Sequence, residues 1–331
     1  MRVFSGIRAS GDKTLGNYSG GFRQYVATQE QVAGSGGEAF FCVVDLHSIT
    51  TPFDPEVLRE STLSVAAWLF ATGLDPQRST VFVQSHVVAH AEAAWLLGAV
   101  TAWGELRRMT QFKEKSEGQD FVSAGLFNYP VLMVGDILLY QTDIVPIGDD
   151  QRQHLELARN VAERFNQRFG ETFVVPRGVY PDEGARVKNL QEPERLMSTT
   201  RGAPQGVVRL VDTPDEIRRK FKTAVTDSGR EITHDVKSKP GISNLIELMA
   251  VATGESIGDI ERRYEGAGYG QFKQDVGEAV VAVLAPFQER YRELRSDDGE
   301  LLRMLKGGAE KAAAAAEPTL TQMYERMGFA R

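Results

Sequence analysis

The chain has 331 residues, 42% of them apolar and 25% charged, which are the proportions of an ordinary globular protein long enough for two domains. No run approaches 18 uninterrupted apolar residues, and Met1 leads straight into apolar, strand-like sequence, so neither a membrane span nor a signal peptide is expected and the cytoplasm is the expected compartment. A net charge of −7 argues against a protein that coats nucleic acid nonspecifically, and a lone cysteine, Cys42, excludes an internal disulfide and a Cys-based zinc site.

Val3, Phe4 and Ile7 predict a buried first strand, and the Gly, Ser and Thr residues that follow predict a turn into a helix starting near Leu15. A strand, a small-residue loop and a helix N-terminus aim backbone N–H groups and a helix dipole at one spot, which suits an anionic nucleotide. Gly11 and Gly16 have P-loop spacing, but Asn17 and Tyr18 stand where that motif needs Lys and Ser or Thr. The dinucleotide fingerprint fails too, for want of a third glycine and of an acidic residue ending a second strand.

Residues 34–37 break the chain before 39–44, an unbroken apolar run of the kind that fills a central parallel strand. His47 then lies at that strand's carboxyl end, the edge where open α/β sheets bind ligands. A helix over 55–72 and a strand over 80–84 continue the alternation, which means a Rossmann-like, doubly wound parallel sheet. His86 and His90, at i and i+4, have the spacing of a metal pair on one helix face, but without a third ligand an ordinary helix start is the better reading.

Residues 107–116 are charged without a clean amphipathic period and read as a solvated loop. Next, Pro130 opens a helix on which Tyr129, Met133 and Asp136 share one row. Asp136 is surrounded by Val131, Leu132, Ile137, Leu138 and Leu139, so its carboxylate must be paired or in use, and use is the preferred reading. A short strand at Ile144 and Val145 runs out through Pro146, Ile147, Gly148, Asp149 and Asp150, and Gln151 opens a further helix with Asp150 as its N-cap. Residues 181–206 are irregular and mark a domain boundary. Beyond them strand signals vanish, and helices are expected over 214–226, 242–253, 269–294 and 301–327, the last interrupted at Pro318. Arg218, Arg219, Lys220 and Lys222, with Lys237 and Lys239, form a basic cluster that beside a nucleotide-binding domain suits a tRNA-facing surface.

Taken in order, the blocks Phe4-Ser5-Gly6-Ile7, Thr14 with Gly16-Asn17-Tyr18, Val44-Asp45-Leu46-His47, Arg108-Met109-Thr110-Gln111-Phe112-Lys113 and Asp143-Ile144-Val145-Pro146 resemble one family. So do Gln151-Arg152-Gln153-His154, Ala224-Val225-Thr226-Asp227-Ser228, Lys239-Pro240-Gly241-Ile242-Ser243-Asn244-Leu245 and Tyr264-Glu265-Gly266. The family is that of the bacterial tryptophanyl-tRNA synthetases, class I enzymes, and the resemblance covers essentially the whole chain.

The resemblance implies a Rossmann-like catalytic domain over 1–190, a signature loop over 191–206 and an all-helical, tRNA-binding C-terminal domain over 207–331, whose last helix packs back on the first domain. It implies an indole slot walled by Phe4, Val44, Met133, Ile137, Val145 and Ile147 and lined by His47. Tyr129 and Gln151 would hold the ammonium of L-tryptophan. Asp136 suits the indole because that ring has one N–H donor and no acceptor, whereas a tyrosine hydroxyl both donates and accepts. By similarity ATP, with Mg2+ on its phosphates, would contact Arg8, Ala9, Ser10, Gly16, Asn17, Gly148, Asp149, Asp150, Val187 and the loop Leu196-Met197-Ser198-Thr199-Thr200, with Thr14 and Lys115 also in the catalytic set. The implied partner is tRNA(Trp) and the implied state a homodimer. Two departures stand out. The loop lacks both lysines of the family's Lys-Met-Ser-Lys-Ser signature, and Arg8 and Ala9 replace Gln and Pro. Arg8, together with Lys115, Arg195 or Arg201, is expected to restore the missing charge. A paralog that binds tryptophan or ATP without charging tRNA is the alternative that the loop raises.

Overall fold

Strands β1 (Arg2–Arg8), β2 (Glu38–Val44), β3 (Thr80–Val83), β4 (Ile144–Pro146) and β5 (Arg177–Val179) pair in parallel in the order β3-β2-β1-β4-β5. Every residue of β2 after Glu38 is buried, as a strand covered on both faces must be. Parallel neighbours need crossovers. Helix α3 (Pro55–Ala71) supplies the one from β2 to β3, started by the Asp54 side chain, which accepts from the backbone of Glu56 and Val57. The chain steps outward from β1 to β3 and then returns to the far side of β1, so β1 and β4 flank the switch point whose carboxyl edge receives ligands. Arg8 ends β1 at that edge, and Ile147 follows β4.

The computed structural model describes residues 1–118, 120–148, 151–180, 187–199 and 202–330. Its contacts divide the chain into two compact units. The first holds Met1–Ser10, Tyr25–Pro181 and Asp297–Arg331, and the second Gly11–Gln24 and Asp182–Ser296.

Within the first unit, α4 (Ala89–Gly98), α5 (Trp103–Arg107), α6 (Thr110–Ser116) and α7 (Ala124–Leu138) lie between β3 and β4, and α8 (Arg152–Phe169) precedes β5. Three expectations are corrected here. The expected loop over 107–116 contains helix α6, which lacks a clean period because its one large apolar anchor is Phe112, set edge-on against Phe127 at 5.1 Å. Helix α7 starts at Ser123, whose Oγ accepts from the Leu126 backbone, and carries Pro130 in its interior instead of at its first turn. The final helix, α13 (Asp298–Met327), runs unbroken through Pro318. Side chains on both flanks of that proline tie α13 down: Lys311 donates to the Pro76 carbonyl (2.7 Å), and Gln141 donates to Thr319 (3.1 Å). This helix lies against β3, α3 and α4. Gly308 makes that approach possible, since a Cβ there would stand 1.8 Å from the Val81 carbonyl oxygen.

The second unit contains α9 (Pro214–Lys222), α10 (Pro240–Thr253), α11 (Ile257–Arg263) and α12 (Tyr269–Ser296), with α12 against α9 and α10. A short helix α1 (Leu15–Asn17) and a π-helical turn (Tyr18–Phe22) belong to it as well, the Tyr18 ring lying 5.4 Å from Phe287 of α12. The turn leads into α2 (Arg23–Gly34), within which the boundary between the units falls.

Candidate functional site

Asp136 on α7 is buried, and three side chains from three other elements converge on it. Gln84, just after β3, spans both carboxylate oxygens with one amide nitrogen (2.7 and 2.8 Å). His90 on α4 meets Oδ1 through Nδ1 at 2.6 Å, and His47, in the turn after β2, meets Oδ2 through Nε2 at 2.9 Å. Burial alone would raise the pKa of Asp136, but the hydrogen bonds from His47 and His90 outweigh it and hold the carboxyl well below its usual range. His90 is completely buried and turns its other nitrogen to the Tyr140 hydroxyl at 2.8 Å. As a structural device this network is expensive, because apolar residues of the same volume usually serve a core as well or better. It therefore reads as a site.

The apolar surroundings agree with that reading. Phe4, Val44, Ile137, Val145 and Ile147 belong to one buried cluster, and Met133 packs against it. Three strands contribute to that wall, which is why its members are scattered in sequence.

About two turns back along α7, the Tyr129 hydroxyl lies 2.8 Å from His154 Nε2 and donates to Gln111 at 3.2 Å. Gln111 also accepts from Lys115 (2.9 Å), whose ammonium sits 5.1 Å above the Tyr129 ring. His47 presents an edge to the same ring at 6.0 Å, so the Tyr129 and Asp136 neighbourhoods share a residue. Burial pushes the Tyr129 hydroxyl up to about 12 despite the opposing positive charge of Arg8. Arg8 reaches Thr51 at 3.3 Å, and the Ala9 carbonyl accepts from Ser48. A cavity of about 640 Å³ opens beside this group, with Ile49, Thr51, Phe53, Lys115 and Phe121 among its lining. Ser10 bonds back to the Arg8 carbonyl and Gly148 accepts from the backbone of Gln151, and the N-cap residue of α8 is Gln151 in place of the expected Asp150, because the helix starts one residue later, at Arg152. Asp149 and Asp150, expected in the nucleotide set, lie outside the described residues.

In the second unit, Thr14 and Asn17 form a capping box: Asn17 Oδ1 accepts from the Thr14 backbone (2.9 Å) and Thr14 Oγ1 accepts from the Asn17 backbone (3.3 Å). The loop is fixed by backbone bonds from Leu15 to Val208 and from Leu210 to Lys13. Gly16 faces Met197, where a Cβ would come 3.6 Å from the Met197 carbonyl oxygen, and Gly11 has a positive φ of 56° and faces Thr199. The signature loop is itself pinned, Met197 bonding to the Val187 carbonyl and Lys188 bridging Leu196. Val187 and Met197 are buried, Leu196 and Thr199 exposed, and Ser198 half-buried. Thr200 and Arg201 lie outside the described residues, and Arg195 faces Glu192 at 3.7 Å. Of the basic cluster, Arg218 is bonded to Glu278 and Asp215 and Lys220 to Asp212, whereas Arg219, Lys222 and Lys237 are exposed.

Gln84, Tyr140, Gln111 and His154 were not candidates from sequence. Gln84 had a usable signal, since it follows β3 at the same sheet edge as His47. Of the two histidines at i and i+4, His86 sits on a 3-10 turn outside α4, and His90 bonds Asp136 and Tyr140.

The family model described as class I tRNA synthetases of W and Y matches residues 1–285. A tryptophan–tRNA ligase of Caldanaerobacter subterraneus subsp. tengcongensis is 51% identical over 99% of this chain and 98% of its own length. Among solved structures, tryptophanyl-tRNA synthetase from Mycoplasma pneumoniae is 34% identical, covers 99% of this chain and 98% of its own, and superposes with a TM-score of 0.88. The Campylobacter jejuni tryptophanyl-tRNA synthetase in complex with ADP and tryptophan is also 34% identical, covers 99% of this chain and 100% of its own, and gives a TM-score of 0.86.

Proposed function

The chain belongs to the class I tRNA synthetases of the tryptophan and tyrosine branch, as a tryptophan–tRNA ligase, and we propose that Asp136 is the group by which it selects its amino acid. In this reaction a carboxylate oxygen of tryptophan attacks the α-phosphorus of ATP, the bond to pyrophosphate breaks, and tryptophanyl-adenylate forms. A ribose hydroxyl of the terminal adenosine of tRNA(Trp) then attacks the activated carbonyl, and AMP leaves.

Asp136 carries the selection because its carboxylate is anionic and only accepts. Gln84, His90 and His47 already make four contacts with it, two on each oxygen, so an indole N–H enters by sharing or displacing one of them. A phenol brought to the same place would have its proton accepted but its oxygen left without a donor, a cost of about 1–3 kcal/mol for a buried polar group. Phe4, Val44, Met133, Ile137, Val145 and Ile147 form the ring's wall, with His47 at its edge, and Tyr129 and Gln151 hold the ammonium. The protein's part is positioning and charge. Arg8 and Lys115, both beside Tyr129, offset the charge that builds on the reacting phosphate and stand in for the lysines missing from 196–200. Gly16 and Asn17, at the N-terminal turn that Thr14 caps, with Val187 and Met197 behind them, form a nucleotide loop in the second unit, and Arg8, Ala9, Ser10 and Gly148 are the nucleotide-contacting residues of the first.

Mg2+ enters on the ATP phosphates, which suits a cation that prefers phosphate oxygens and water. Exposed Arg219, Lys222 and Lys237 give the tRNA a basic surface. Trp95, Trp103 and Phe121, which expose 83%, 63% and 76% of their surface, suit burial against a second copy in a homodimer. No described helix is long and apolar enough to cross a membrane, and work on ATP and tRNA supports a cytoplasmic compartment.

Tryptophan-dependent exchange of pyrophosphate into ATP, followed by charging of tRNA(Trp), tests this reading. The expected result is exchange with tryptophan and none with tyrosine, with Asp136→Asn abolishing the preference.

A further inference from the structure

We propose that His90 and Tyr140 are positioning residues that fix where the protons lie around Asp136, so that the substrate always meets a pure hydrogen-bond acceptor. The inference rests on the reading of Asp136 as the indole selector. Nothing in the helical row that carries Tyr129, Met133 and Asp136 points to either residue. His90 is on α4, and Tyr140 lies just beyond α7.

The chain of protons starts at Tyr140. Its ring is completely buried, stacked on Phe40 at 4.6 Å and on Phe4 at 5.6 Å, with Phe82 edge-on at 5.8 Å. β1, β2 and β3 each contribute one of those rings. Burial pushes the Tyr140 hydroxyl far above its ordinary value, so it keeps its proton. Among the described residues its hydrogen-bond partner is His90, so the proton goes to Nε2. An Nε2 that accepts leaves the N–H of the neutral ring on Nδ1, which therefore donates to Asp136 Oδ1. A doubly protonated His90 would instead strand the phenolic proton inside an aromatic cage. The hydroxyl thus sets the tautomer, and the tautomer sets the carboxylate.

Removing the hydroxyl frees His90 to carry its proton on Nε2. A lone pair on Nδ1 would then face a carboxylate oxygen 2.6 Å away. The conflict is relieved when Asp136 takes a proton or turns aside, and a protonated carboxyl donates as well as accepts. Such a site no longer penalises a ring that offers an acceptor.

The test compares tryptophan with its benzofuran analogue, 3-(3-benzofuranyl)alanine, in which an acceptor oxygen replaces the N–H, by pyrophosphate exchange. Tyr140→Phe changes one oxygen and keeps the ring stack. We expect it to narrow the kcat/KM ratio of tryptophan to analogue about tenfold, mainly through the KM for tryptophan and with kcat little changed. His90→Leu should narrow the ratio as far. His90→Asn, whose Nδ2 can donate from near the place of Nδ1, should restore most of it. A ratio that stays within twofold in folded Tyr140→Phe, as judged by its melting temperature, would overturn the proposal. In the wild-type protein, nitrogen-15 NMR of labelled histidine should find the His90 proton on Nδ1, and a proton on Nε2 overturns the proposal whatever the variants do. The two readings fail separately. If Asp136→Asn leaves the ratio intact, Asp136 is not the selector, whereas if Asp136→Asn collapses it and Tyr140→Phe does not, only the relay is wrong.

Discussion

The Asp136 site and the 196–199 loop both descend from the same expectation of a synthetase, yet they are built in opposite ways. Asp136 is buried and saturated with donors from α4, the end of β3 and the turn after β2, so that its charge and direction are settled before any ligand arrives. The loop is held by its backbone, through the Val187 and Leu196 pairings, and turns Leu196 and Thr199 to solvent. Selection needs one group that does not move, and burial supplies it. Charge to offset a leaving group can come from any cation that reaches, so a loop that has lost its lysines need not have lost the reaction.

The strongest way to break the contrast is at the buried end. Asp136→Asn keeps the volume but places an amide donor against His47, Gln84 and His90, and should lower kcat/KM for tryptophan by about 10³-fold or more in pyrophosphate exchange, as sites built to bond a polar group do when the match is lost. A loss under tenfold would make Asp136 a structural residue. Arg8→Gln comes next. If Arg8 supplies charge that the loop lacks, exchange should slow by about 10- to 100-fold, on the scale of one removed electrostatic contact, and an unchanged rate would return the role to some other cation.

The pH dependence sharpens the comparison further. Asp136 titrates below its unfolded value, so the stability it contributes is fully present above about pH 4 and is lost as the pH falls through the depressed folded value. The wild-type urea midpoint should therefore fall more steeply below pH 4 than that of Asp136→Asn, and parallel curves would contradict the depressed value. The smallest effect is expected in the loop. Leu196→Lys or Thr199→Lys alone should change the exchange rate by no more than about twofold, yet either should recover several-fold in an Arg8→Gln background, a non-additivity that marks shared work.

Much of this was legible in the residues, for definable reasons. Tyr129, Met133 and Asp136 could be placed together because they lie on one helix with fixed periodicity, and His47 because it ends a strand at the ligand edge. Gln84, His90 and Tyr140 lie on different elements and meet Asp136 only once the sheet has closed, so no spacing announces them. Helix α6 was missed because its burial comes from a single ring, Phe112, and α13 was expected to stop at Pro318 because its anchors, Pro76 and Gln141, are far away in sequence. The segment Gly11–Gln24, expected within a first domain over 1–190, has contacts, through Val208 and Phe287, that belong to the second unit.

The most direct test is a crystal structure of the protein with tryptophan bound. The account predicts the indole nitrogen about 2.8–3.0 Å from a carboxylate oxygen of Asp136, with the ring against Phe4, Val44 and Met133. An indole seated elsewhere, or a nitrogen beyond hydrogen-bond reach of Asp136, would contradict it.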